Sequence, residues 1–401
     1  MTHASKVLGL GEFATLTALL FSLVALSIDA MLPAFPAIAE DLFIESENDV
    51  QLVIGLFFLG NGFGQLLFGP LSDSFGRRPM ILIGLIVFMI GCVMSMVAQS
   101  FELLLIGRIL QGVGAAGPRT VTVSMVRDLY SGVEMARIMS IAMAIFILVP
   151  TLAPAIGQVV ILFFGWRYIF LLFLLMSCLA LAWLVLRQPE TLLKVERRTL
   201  SISMLLSSFM FVCRNRSVVG YVLAMGVIFG AFVGFLSSAQ QVFEYTFSTG
   251  KWFPLCFASL AITLGIASLV NSRLVKLIEM QRIVLMANYL VVIVSAIYAL
   301  LYVLGYLDGL VTFMVWGGLC FFGLGLMFGN LNTLAIQPLG EVAGMGAAII
   351  GFGSTIISII LGVPIGRAFN LTEFPLVLGF VIMGTVSLCL VKYAGNHRRL
   401  S

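Results

Sequence analysis

The chain has 401 residues, 61% of them hydrophobic and only 10% charged, with a mean hydropathy of +1.14 and a formal net charge of +4. Soluble chains are roughly 45–50% apolar and about 25% charged, so this composition excludes a water-dispersed globule and makes the lipid bilayer the solvent for most of the chain. The small net charge gives no basis for a nucleic-acid partner; the placement of the charges carries the information instead.

A membrane helix takes about 20 predominantly apolar residues, and runs of that length recur along the whole chain. The first half predicts helices over Phe13–Pro33, Val50–Gly69, Pro79–Val97, Phe101–Val123, Ser140–Val160 and Trp166–Leu186. The second half predicts Val218–Ala239, Trp252–Val270, Ile283–Leu304, Val311–Leu331, Gly344–Ile365 and Phe374–Val391. The runs are continuously apolar and about twice the ~10 residues of a barrel strand, which argues against an alternating β pattern. The first run follows a single Lys6 and no clear cleavage pattern, so it reads as a retained helix and not a signal peptide. The predicted fold is therefore an all-α integral membrane protein with twelve transmembrane helices in two six-helix halves. Residues 1–187 and 218–401 form the halves, and 188–217 form a central loop.

Orientation follows from Lys and Arg, which favour cytoplasmic loops. With both termini in the cytoplasm, seventeen basic residues fall on the cytoplasmic side and only Arg167, Lys251 and Arg367 outside, Arg108 and Arg119 lying within helix 4. The first outer loop is acidic, with Glu40, Asp41, Glu45, Glu47 and Asp49. The segment Arg187–Ser217 carries six basic residues and the uncharged apolar stretch Leu200–Cys213, too short to span, which predicts a helix lying on the inner leaflet.

Polar groups inside lipid are costly and mark functional hypotheses. Asp29 near the outer end of helix 1 and Arg108 in helix 4 stand out, at depths of about 6 and 10 Å below their helix ends at 1.5 Å per residue. Both reach the outer half of the membrane and can face one cavity; a purely structural ion pair is the alternative. The segment Gly69-Pro70-Leu71-Ser72-Asp73-Ser74-Phe75-Gly76-Arg77-Arg78-Pro79 predicts a tight turn between helices 2 and 3, with Asp73 capping a helix N-terminus and Arg77 and Arg78 on the cytoplasmic side. Pro150 and Pro154 bend helix 5, and Gly157 allows close packing. Asn61, Gln65, Gln111, Gln158, Gln240 and Asn330 are the candidate polar groups of a substrate pocket, beside 33 Phe, nine Tyr and four Trp that suit amphipathic organic compounds.

Other chemistry lacks its groups. The six cysteines form no Cys-x-x-Cys pair, and most sit in apolar runs as small buried hydrophobes. His3 and His397 lie outside the predicted spans, and neither Gly-x-Ser-x-Gly nor His-Glu-x-x-His occurs. No metal site, cofactor or enzymatic activity is expected.

The Gly69–Pro79 segment resembles the loop 2–3 signature of the major facilitator superfamily. Three further stretches resemble its twelve-span drug/proton antiporters, most of all the bicyclomycin/chloramphenicol-resistance (Bcr/CflA) branch. These are Asp29-Ala30-Met31-Leu32-Pro33-Ala34-Phe35-Pro36, Arg108-Ile109-Leu110-Gln111-Gly112-Val113-Gly114, and Pro150-Thr151-Leu152-Ala153-Pro154-Ala155-Ile156-Gly157. Gln158 stands where the wider family's helix 5 motif usually closes on glycine. The resemblance is dense in the first half and rests on helix pattern in the second. It implies a monomeric, proton-coupled multidrug exporter of the bacterial inner membrane, with Asp29 exchanging the proton and Arg108 coupling it to a small-molecule substrate. Dedicated export of a metabolite, such as a siderophore or an amino acid, is the alternative.

Overall fold

Backbone amides in lipid have no water to bond, so apolar runs of this length close their hydrogen bonds within helices. The computed structural model of the chain describes residues 8–197, 202–307 and 309–398. His3, together with Lys6, Arg198 and Arg399 of the basic tally, lies outside those residues, as does the start of the predicted Leu200–Cys213 stretch. Among the described residues the chain is all-helical, with twelve helices of 20 residues or more. They are α1 (Leu10–Asp29), α2 (Leu52–Phe75), α3 (Arg77–Met96), α4 (Phe101–Leu129), α5 (Gly132–Phe163) and α6 (Arg167–Arg187), then α7 (Arg216–Gln241), α8 (Phe253–Leu274), α9 (Met280–Val303), α10 (Leu310–Ile336), α11 (Ala343–Arg367) and α12 (Phe374–Arg398).

Ten of these elements are long and apolar enough to cross a membrane, making this a multi-pass membrane protein. The exceptions are α4 and α5. α4 carries Glu102, Arg108, Arg119, Arg127 and Asp128 within one helix, and the apolar stretch described in α5, Leu148–Phe163, is shorter. Between α6 and α7 a 13-residue helix, Ile202–Arg214, buries Ser208 and Val212 and exposes Leu206, Phe209, Met210 and Phe211.

The chain divides into two compact units. One comprises the described residues up to Ile44 and Leu56–Met204; the other comprises Glu45–Gly55 and the described residues from Leu205 onward. Each unit pairs its helices by one scheme. In the first, α3 packs on α4 and α6, and α1 on α4, α5 and α6. In the second, α9 packs on α10 and α12, and α7 on α10, α11 and α12. Small residues set these contacts, as expected where lipid supplies no hydrophobic drive between helices. A Cβ on Gly114 of α4 would lie 2.2 Å from the backbone nitrogen of Phe88 in α3, and one on Gly226 of α7 would lie 2.7 Å from Ile357 Cβ in α11.

Candidate functional site

The apolar sequence of α1 ends on Asp29, and the chain then turns through a 3-10 segment containing Pro33, which has no amide hydrogen to donate. Asp29 is 5% exposed and Arg108, on α4, is 0% exposed. The two groups converge on one stretch of backbone. Arg108 Nη2 donates to the carbonyl of Ser27 at 2.9 Å, two residues before Asp29. Its Nη1 donates to Gln111 Oε1 at 2.6 Å, and its guanidinium lies 4.6 Å from the ring centroid of Phe57 on α2. Gln111 Nε2 in turn donates to Cys92 Sγ on α3 at 3.2 Å.

The proline-containing helix reaches the same place. Pro150 and Pro154 lie inside α5, and Gly157 three residues on is pressed against α1 so closely that a Cβ would sit 2.1 Å from the carbonyl oxygen of Ala30. The helix 1 exit, the helix 4 arginine and the helix 5 glycine, read separately in the sequence, thus meet around residues 27–30. Asp29 belongs to none of the ion pairs among the described residues. Arg108 is anchored on the Ser27 carbonyl, two residues before Asp29, and on the Gln111 side-chain amide.

The turn between α2 and α3 differs from its expectation in one respect. α2 does not stop at Gly69 but continues through Pro70 to Phe75, leaving Gly76 alone as the link, with φ +111°. Asp73 therefore lies in the last turn of α2, where it pairs with Arg77, and does not cap a helix N-terminus. Arg77 also donates from Nε to Asp128 Oδ2 at 2.8 Å and from Nη1 to Ser72 Oγ at 2.8 Å. The cap on α3 comes from Glu190, after α6. Its Oε1 accepts from the amide of Arg77 at 2.9 Å and its Oε2 from that of Arg78 at 3.2 Å, where the helix dipole favours negative charge. The positive φ of Gly76 favours glycine, and a Cβ there, 2.4 Å from Glu190 Oε2, would push the capping carboxylate aside. Arg78 Nη2 donates to the carbonyl of Val185 at 2.7 Å.

The sequence reading missed Glu190 and Asp128. The signals were present: Pro189-Glu190 follows the end of a predicted span inside a basic loop, and Asp128 follows Arg127 at the end of an apolar run.

The model of the Major Facilitator Superfamily matches residues 17–363. The chain belongs to that superfamily. It is 33% identical over 267 residues to the bicyclomycin resistance protein homolog of Haemophilus influenzae, covering 66% of this chain and 67% of that protein. It is 29% identical over 392 residues to a chloramphenicol resistance protein of Pseudomonas aeruginosa, covering 92% and 88%. The solved D-xylose-proton symporter has a TM-score of 0.75 at 15% identity over 95% of each chain, a likeness of fold alone. This major facilitator protein is a transporter of the drug-efflux branch and not an enzyme.

The pocket candidates of this major facilitator transporter fall into separate settings. Gln65 Nε2 donates to Asn61 Oδ1 at 2.7 Å, and the Asn61 amide points to the carbonyl of Gly112 at 3.4 Å, tying α2 to α4. Gln111 is held by Arg108 and Cys92. Asn330 donates to Asn271 Oδ1 at 2.7 Å, linking α10 to α8. Gln158 is half-buried on α5. Gln240 is buried on α7, and its amide oxygen makes no hydrogen bond among the described residues.

Proposed function

We propose that this transporter exports small organic compounds across the bacterial inner membrane in exchange for protons. Twelve spans, in two six-helix bundles, would give alternating access. The observation that carries the reading is the buried carboxylate of Asp29, with Arg108 anchored two residues away on Ser27 and Gly157 on Ala30. Burial favours the protonated form of a carboxylate and a nearby guanidinium favours the ionised form. Movement of α4 against α1 would change which influence dominates at Asp29, loading a proton in one state and releasing it in the other. The repeated pairing scheme of the two units supports an internal duplication, the usual architecture for access from alternate sides. Relatives whose names refer to bicyclomycin and chloramphenicol resistance support an organic substrate and outward direction.

The test is transport in energised inside-out vesicles with a panel of drugs and metabolites, which also separates multidrug efflux from dedicated export of one metabolite. Asp29→Asn is expected to lose uphill export driven by a proton gradient while retaining substrate binding, since the amide keeps the shape of the carboxylate. Arg108→Lys is expected to fail as well, because an ammonium cannot reach the Ser27 carbonyl and Gln111 together as a planar fork does. Undiminished uphill export by Asp29→Asn, with the same proton requirement, would make Asp29 structural.

A further inference from the structure

The end of the second unit expected to face the cytoplasm is basic. Arg214, Arg216, Arg273, Lys276, Arg282 and Lys392 belong to it, and the acid Glu279 is paired with Arg282 at 3.5 Å. One of these cations is held in place on the outer surface of the helices. Lys392 is exposed on α12, and its Nζ lies 5.1 Å from the ring centroid of Tyr289 on α9, itself 40% exposed. The negative face of an aromatic ring attracts a cation placed over it. Lys392 belongs to none of the ion pairs among the described residues.

The surface leading away from this pair is apolar. α9 exposes Met286, Ile293 and Ile297, and α12 exposes Ile382 and Val386. These positions recur at helical spacing with Tyr289 on α9 and with Cys389 on α12, so each helix presents one stripe. A Cβ on Gly384 would lie 2.9 Å from Val292, eight residues before Lys392 and three after Tyr289. The two helices therefore run antiparallel, and their stripes meet at the Lys392–Tyr289 contact.

A second feature sets the depth of this contact. The helix Ile202–Arg214 buries Ser208 and Val212 and exposes Leu206, Phe209, Met210 and Cys213, the spacing of a single face. The boundary between headgroups and acyl chains covers such a stripe, and water does not. Three residues past that helix, Ser217 Oγ donates to the carbonyl of Ala394 at 3.2 Å. The helix therefore ends near the level of Lys392, which places Lys392 among headgroups.

We propose that Lys392 and Tyr289 form the headgroup end of a binding site for one anionic glycerophospholipid. Its phosphodiester is held by the Lys392 ammonium, and its acyl chains lie on the stripes of α9 and α12. The basic character of this end of the unit selects a headgroup that carries no ammonium of its own. The site does not depend on which compound the transporter moves or in which direction.

The experiment strips lipid from the full-length protein in a non-ionic detergent. The protein is then titrated with phosphatidylglycerol or with phosphatidylethanolamine of identical chains, and bound lipid is counted by native mass spectrometry. Phosphatidylglycerol should fill the site about tenfold more tightly than phosphatidylethanolamine. Lys392→Gln should weaken phosphatidylglycerol about fivefold, the effect of one basic residue at an anionic surface, and Lys392→Arg should keep it. Lys251 is the control, because its Nζ also rests over a ring, 5.9 Å from the Trp252 centroid, at the opposite end of the unit. Lys251→Gln should leave binding unchanged, and millimolar inorganic phosphate should not displace the lipid. Equal affinity for the two lipids, undiminished binding by Lys392→Gln, or equal losses from Lys392→Gln and Lys251→Gln would each overturn the site. Displacement by phosphate would make it a site for soluble anions and overturn the lipid.

Discussion

At Gly157 a single hydrogen atom sets the distance between α5 and α1, because a methyl group would fall 2.1 Å from the Ala30 carbonyl oxygen and backbone cannot yield as a side-chain tip can. Gly157→Ala is therefore expected to push α5 away from the Asp29 turn, lowering the melting temperature of detergent-solubilised protein and sharply reducing transport. Gly329 in α10 is the matched control, since a Cβ there meets nothing within 4 Å. Gly329→Ala should leave transport unchanged and melting equal or slightly higher, as alanine favours a helix over glycine by about 0.8–1 kcal/mol. Equal losses from both substitutions would remove the special status of Gly157. Asp29 and Arg108 were legible in the sequence because charge inside an apolar run is conspicuous. The acceptor that brings them together was not. It is the Ser27 carbonyl, and every residue carries the same backbone acceptor without any mark in the sequence that it will be used.

The start of α3 shows how far an element's end can depend on residues remote in sequence. The first free amides of a helix need acceptors, and those of Arg77 and Arg78 find them on a carboxylate 113 and 112 residues away. Glu190→Gln keeps one acceptor oxygen but loses the charge facing the helix dipole, a change worth about 0.3–1 kcal/mol at an exposed site and up to about 2 kcal/mol when partly buried. It should lower the melting temperature modestly and slow transport, and Glu190→Ala should do both more severely. A melting temperature and turnover unchanged in Glu190→Ala would show that water replaces the cap without cost. The apolar runs placed every long helix in the sequence, because burying backbone in lipid leaves a helix as the economical solution. Their ends were less legible. Pro70 reads as a stop, yet α2 passes through it to Phe75, since a proline inside a membrane helix forfeits one hydrogen bond and neighbouring groups make good the loss. With α2 extended, Asp73 and Arg77 stand on either side of a one-residue link, and their pairing follows from that spacing.

For the molecule as a whole, charge placement is what bears on orientation. Two of the three basic residues assigned to the outer face are matched by acids of the first outer loop: Arg167 pairs with Asp41 in the first unit and Arg367 with Asp49 in the second. That face therefore holds few uncompensated positive charges, while the sequence assigns seventeen basic residues to the other side, fourteen of them among the described residues. Cytoplasmic loops retain Lys and Arg, so both termini and the segment between α6 and α7 are expected inside. The reporter positions matter. Asn48 of the first outer loop belongs to the polar network with Gln241 and Arg367, so a cysteine there would report on that network as well as on sidedness. Glu45 and Arg214 are exposed and outside those contacts. In intact spheroplasts of a cysteine-free variant, Glu45→Cys should react with a membrane-impermeant maleimide. Arg214→Cys should stay unreacted until the membrane is permeabilised, and then label fully. The reverse pattern would invert the protein in the membrane, placing the Asp29 end of α1 at the cytoplasmic side and turning the proposed export direction with it.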